Sequence, residues 1–152
     1  MKGLYRGFCR NENGTETIVL NGEKIKGDWV QGFLATEYHI IDDTDSFTYF
    51  GGGGMDGFAK FVIPETVCEA VRGVNDINGK QIFECDVIED NYSTWEVKFN
   101  YEHSGFGAYF FNCEQRQIGK EMAQRFEVIG TIFDEKFEQG VEKYHLGKSL
   151  KG

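Results

Sequence analysis

Thr94-Trp95-Glu96-Val97-Lys98-Phe99-Asn100 alternates apolar and polar residues without a break, which places Trp95, Val97 and Phe99 on one face of a β-strand and Glu96 and Lys98 on the other. Such a strand is half-buried. Working outward, shorter aromatic or β-branched segments predict further strands at Trp29 to Leu34, Glu37 to Ile41, Phe58 to Ile63, Cys85 to Glu89, Gly107 to Phe111 and Glu127 to Phe133. Asn-Gly pairs at 13-14, 21-22 and 78-79 punctuate the chain, and both residue types tolerate the positive φ of a tight hairpin turn. The first two pairs predict a small meander around Thr15 to Leu20. Helical spacing is confined to Gln117 to Phe126, through Ile118, Met122 and Phe126, and to Phe133 to Tyr144, through Phe133, Phe137 and Val141. Gly119 and Gly140 weaken these two helices, and the tail from His145 onward is expected to fray. The pattern predicts a mainly β fold (β-rich α+β), a small barrel or sandwich with one or two short helices, occupying residues 1–134 as one domain and followed by a tail or short helix over 135–152.

Composition narrows the function classes. The chain has 152 residues, and its 14 Phe, 7 Tyr and 2 Trp supply the buryable area of a folded domain. A formal net charge of -9 repels phosphate backbones and anionic membranes. Lys and Arg occur singly rather than in a nucleic-acid-binding run, so direct nucleic-acid binding is disfavoured. The amino-terminal residues lack a signal-peptide core and no apolar run approaches the roughly 20 residues that span a bilayer, which points to a cytoplasmic protein without a membrane span. Cys9, Cys68, Cys85 and Cys113 show no CxxC spacing and read as small buried hydrophobes in a reducing compartment.

No chemical motif is complete. Gly51 to Gly54 invites a phosphate-loop reading, but Gly57 is followed by Phe58 and Ala59 where that loop needs Lys and then Ser or Thr. A hairpin loop tip is the simpler reading. Asp42-Asp43-Thr44-Asp45 begins like a calcium loop and then places Phe47 and Thr48 where Asp or Asn and then Gly are required. Of the histidines, His39 alternates on a strand towards solvent, His103 lies in a polar turn and His145 in the tail; a pairing of His103 with Cys113 across a hairpin is the one nucleophilic arrangement the spacing offers. Glu84, Asp86, Glu89 and Asp90 form the densest acidic cluster, for which solvation or turn capping outweighs acid-base catalysis. Trp29 and Trp95 sit in apolar patterns that favour core roles over stacking platforms. No catalytic, cofactor-binding or metal-ligating residue is assigned.

Gly73-Val74-Asn75-Asp76-Ile77-Asn78-Gly79-Lys80-Gln81-Ile82-Phe83-Glu84-Cys85-Asp86-Val87-Ile88 resembles the signature of the YopX family of phage and prophage proteins, G-x-x-D-x-x-G-x-x-I-[FY]-x-G-D-[IV]-[IV]. Gly27 to Gly32, Val62 to Val67 and Phe126 to Phe133 bracket it in the family's order. Cys85 stands where the family usually carries glycine, which leaves open whether this turn needs a positive φ. On the residues alone the segment is architectural: Asp76 bonds its own turn, Asn78-Gly79 reverses the chain, and Ile82, Phe83, Val87 and Ile88 enter the core. The resemblance implies a protein carried on phage or prophage DNA, made in a bacterial cytoplasm, with no catalytic residue to transfer. The expected function is a non-enzymatic accessory protein that binds a host or phage protein, with self-association through sheet edges left open. The alternative is a nucleic-acid-associated SH3-like or OB-like barrel, which requires Lys24, Lys26, Arg72, Lys98, Arg116, Lys120 and Arg125 to converge beside an exposed aromatic.

Overall fold

The computed structural model describes residues 4–34, 48–51 and 59–151. The strand expected at 37–41, with His39, the acidic run 42–45 and most of the four-glycine loop lie outside them. In chain order the strands are β1 (Leu4–Arg10), β2 (Glu16–Leu20), β3 (Glu23–Leu34), β4 (Thr48–Gly51), β5 (Ala59–Val62), β6 (Cys68–Asn75), β7 (Gln81–Phe83), β8 (Asp86–Glu89), β9 (Thr94–Asn100), β10 (Gly105–Phe110), β11 (Cys113–Gln117) and β12 (Glu127–Thr131). Two short helices, α1 (Lys120–Ala123) and α2 (Val141–Lys151), complete the mainly β fold that the sequence predicts.

The chain divides into two compact units, residues 1–70 and 71–152, with the boundary inside β6. In the first, β3 is the organising strand, pairing antiparallel with β1, β2 and β4. The β2–β3 hairpin closes through Asn21 and Gly22 at φ 51° and 81°, as an Asn-Gly turn should. Asn13-Gly14 behaves differently: neither residue takes a positive φ, because the Asn11 side chain caps the turn, accepting from Asn13 N at 2.9 Å. Gly14 is needed for close approach instead, since a Cβ there would strike the Gly27 backbone. Phe8, Ile18, Ile25 and Val62 are buried, and the Phe8 ring meets Trp29 edge-on at 5.3 Å.

The second unit holds an antiparallel sheet in the order β11-β10-β9-β8-β12. Adjacent residues of β8 divide its core: Ile88 joins Val71, Val74, Ile82, Val97, Ala108, Phe126 and Val128 on one face, and Val87 joins Phe137 and Val141 on the other. Both faces of β8 are therefore covered, which explains its unbroken Val-Ile. Trp95 stacks on Phe126 at 5.2 Å, a packing role.

Both expected helices are shorter or shifted. Gly119 is extended at φ -134° and ψ 173°, so the first is a single turn after β11, although Ile118, Met122 and Phe126 still reach the core. Gly140 at φ 106° interrupts the second, leaving a 3-10 turn at Glu135–Phe137 and moving the α-helix to Val141–Lys151. The tail expected to fray is thus helical through Lys151, held by contacts to β9.

Candidate functional site

The signature segment is a backbone device. Gly73, Gly79 and Cys85 take φ of 74°, 80° and 71°, so the turn at Cys85 keeps its left-handed conformation with a side chain present. Asp76, 3% exposed, accepts from the backbone N–H groups of Asn78 at 2.9 Å, Lys80 at 2.8 Å and Val128 at 2.9 Å. Asp86, fully buried, accepts from Phe83 N at 2.8 Å. Because a left-handed non-glycine residue carries a steric cost, Cys85→Gly is expected to stabilise the protein by about 1 kcal/mol; a lower urea midpoint than wild type would refute this.

The chemical candidates are dispersed. His103 pairs with Glu114, its Nε2 lying 2.7 Å and 3.0 Å from the two carboxylate oxygens, rather than with Cys113. Gly107 makes that pair fit, since a Cβ there would collide with the Glu114 carboxylate. His145 Nδ1 lies 2.9 Å from Thr94 Oγ1 and its ring meets Phe110 edge-on at 5.6 Å. The acidic cluster separates: Asp90 caps its turn at Tyr92 N and Ser93 N, Glu89 accepts from Thr94 Oγ1 at 2.9 Å and from Lys148 Nζ at 2.7 Å, and Glu84 lies in the turn after β7. The bond to Glu89 raises the Lys148 pKa. Among the described residues no group of three His, Cys, Asp or Glu side chains is placed to hold a metal ion.

Within each unit the cations can be placed one by one. Lys24 and Lys26 lie on β3 in the first unit. In the second, register places Lys98 opposite Gly107 and Arg116 opposite Ala108, on opposite sheet faces. Lys98 donates to Asn112 Oδ1 at 2.8 Å, Lys120 packs beside Gly73, and Arg125 lines an open groove of about 250 Å³ with Glu89, Asp90 and Glu127.

An exposed aromatic end is what the fold does build. Trp95 pairs with Ile88 and Glu96 with Tyr109, so the β8–β9 turn, carrying Tyr92, and the β10–β11 turn, carrying Phe111, lie at the same end of the sheet. Tyr92 is 85% and Phe111 59% exposed. Phe111 and Asn112 form the latter turn at φ 52° and 59°, an uncommon setting for a bulky side chain. Phe110 meets the Phe111 ring edge-on at 4.8 Å, and Phe111 N donates to Glu142 Oε1 of α2 at 2.8 Å. Sequence reading ended the strand at Phe111 and missed this tip; the available signal was three consecutive aromatics, Tyr109 to Phe111, which a period of two cannot bury on one face.

The sheet edges beside this end are blocked. Ala108 pairs with Arg116 and Tyr109 with Glu114, making Gln115 the extra residue of a bulge in β11. On β12, Ile129 is likewise extra, and side chains occupy the backbone groups: Val128 N–H donates to Asp76, Ile129 O accepts from Lys136 Nζ at 2.9 Å, and Thr131 N–H donates to Asp134 at 3.0 Å. Bulged, side-chain-occupied edges resist strand addition.

On the outer face of β9, beneath α2, Glu96 has its pKa raised by burial, with Lys98 opposing and Glu142 and Glu84 reinforcing the shift. A raised folded-state value means that the carboxyl favours the fold while protonated, and this contribution is lost as pH climbs above the ordinary 4.5 through the raised value. Glu96→Gln is therefore expected to raise Tm at pH 7 by on the order of 2 °C and to lose its advantage near pH 4, checked by thermal melts across that range.

The family model described as YopX protein matches residues 20–136, about three quarters of the chain, and includes the signature with its two aspartates. The chain belongs to the YopX family. No curated protein matches the sequence. Within this YopX domain the signature's three left-handed positions, Gly73 inside β6 and Gly79 and Cys85 in turns, and its two aspartates set backbone geometry, and α2 lies beyond the matched residues. No helix among the described residues is long and apolar enough to cross a membrane.

Proposed function

We propose that this YopX-family chain is a phage- or prophage-encoded accessory protein of the bacterial cytoplasm that works by binding a host or phage protein, not by catalysis. The observation that carries this reading is Phe111, a large apolar side chain held outward in a left-handed turn at the end of a well-packed sheet. Backbone strain and exposed aromatic area coincide at binding sites, where a partner's contacts repay both. Lys98 is bonded to an amide oxygen and Arg125 lies among carboxylates, which favours a protein partner over nucleic acid. The bulged edges of the β11 to β12 sheet favour a partner that meets its turns and faces over one that adds a strand to it.

The test is affinity capture of the tagged protein during prophage induction, with and without nuclease, beside the Phe111→Asn variant, whose side chain suits a positive φ and preserves the turn. A stoichiometric protein partner that survives nuclease and is recovered at least roughly tenfold less by the variant is the expected result. Recovery only of nucleic-acid-bound proteins, lost on nuclease treatment, would replace this reading with a barrel that reads nucleic acid.

A further inference from the structure

Helix α2 begins after the matched family domain ends and lies on β9, whose outward side chains, Thr94, Glu96 and Lys98, are polar, with Thr94 bonded to the helix. Its hold divides in two. At its start Val141 and Tyr144 pack against Val87 and Phe137, with the Tyr144 and Phe137 rings 4.8 Å apart. From His145 onward the hold is chiefly polar, His145 to Thr94 at 2.9 Å and Lys148 to Glu89 at 2.7 Å, with the His145 ring edge-on to Phe110 at 5.6 Å. Gly147 weakens the helix interior, with nothing within 4 Å of where its Cβ would lie. Gly140, at φ 106°, gives the chain a turn just before the helix. Glu142 in the first turn of α2 adds a like charge to those that raise the Glu96 pKa, an unfavourable pairing that release relieves.

We propose that α2 is a displaceable strap, and that the face beneath it, Glu89, Thr94, Glu96 and Phe110, receives a helix of α2's own chemistry from the protein partner. That helix carries a carboxylate in its first turn for Phe111 N–H, an imidazole one turn later for Thr94 and Phe110, and a lysine for Glu89, as Glu142, His145 and Lys148 do in cis. The inference rests on the protein-binding reading and names its surface.

Full-length wild type is compared with Gly147→Ala, which tightens the strap, and with the double variant His145→Ala, Lys148→Ala, which loosens it. Amide hydrogen exchange is expected to open 145–151 well before β9, with α2 roughly fivefold slower in Gly147→Ala. A labelled peptide of residues 138–151 is expected to bind the double variant most tightly and Gly147→Ala most weakly. Exchange of α2 together with β9, or equal peptide binding by all three proteins, would overturn the strap. A captured partner indifferent to both changes also sinks it while leaving the protein-binding reading intact. Absence of any protein partner removes that reading and the partner helix with it, and exchange and peptide binding then decide the strap alone.

Discussion

Asp76→Ala is expected to lower stability by about 4 kcal/mol, the largest effect of any single substitution in the signature. One buried carboxylate accepts from three backbone N–H groups, two in its own turn and one on β12, at Val128. Alanine orphans the buried Val128 donor, which costs on the order of 1–3 kcal/mol, and removes two charge-assisted bonds from the half-buried donors of Asn78 and Lys80. It also removes the side-chain tie from the β6–β7 turn to β12, leaving the backbone bond from Ile77 N to Phe126 O at 2.8 Å to hold the two together. Asp76→Asn preserves one carbonyl-type oxygen but turns an NH₂ towards a donor, and about half the loss is expected. Urea unfolding followed by circular dichroism measures both; an alanine variant within 0.5 kcal/mol of wild type, a margin typical of surface changes, would show that the turn stands without its carboxylate.

Gly27→Ala should cost about 3 kcal/mol, for a different reason. Gly27 pairs with Arg10 on β1 and Glu16 on β2, and a Cβ would enter the space of the Cys9 carbonyl oxygen and lie 2.8 Å from the Phe8 ring. Neither neighbour yields cheaply, because Cys9 belongs to the β1–β3 ladder and Phe8 is fully buried. Gly22→Ala is the control: its Cβ meets open space, so only the cost of a left-handed alanine, about 1 kcal/mol, is expected. Equal urea midpoints for the two variants would mean that close approach does not select glycine at position 27.

Much of the second unit is legible in the sequence, and the first much less so. The alternation from Thr94 to Asn100 gives β9 its observed ends, and Asn21-Gly22 gives the observed hairpin. Strands β1 and β6 escape because their buried runs, Arg6 to Phe8 and Ala70 to Val71, break the period of two. The role of Asp76 within its own turn is readable from Asp76-Ile77-Asn78-Gly79, whereas its bond to Val128 is not, since nothing local joins residues 52 apart. The His103 and Cys113 pairing fails for a similar reason: the bulge at Gln115 and the room above Gly107 bring Glu114, the neighbour of Cys113, to the imidazole.

By itself the sequence determined the mainly β class, the family, the acidic charge and the turns at Asn21-Gly22 and Asn78-Gly79, all properties written in residue type and near-neighbour spacing. The tertiary structure decided the rest. It alone shows that Cys85 keeps a glycine-like backbone, that Phe111 is held outward on a left-handed turn, that both edges of the β11 to β12 sheet are closed by bulges and side chains, and that the polar face of β9 lies under α2. The physical reason is range: periodicity and turn chemistry act over a few residues, while burial, edge closure and helix docking depend on groups some 50 residues apart, such as Thr94 and His145, that only folding brings together.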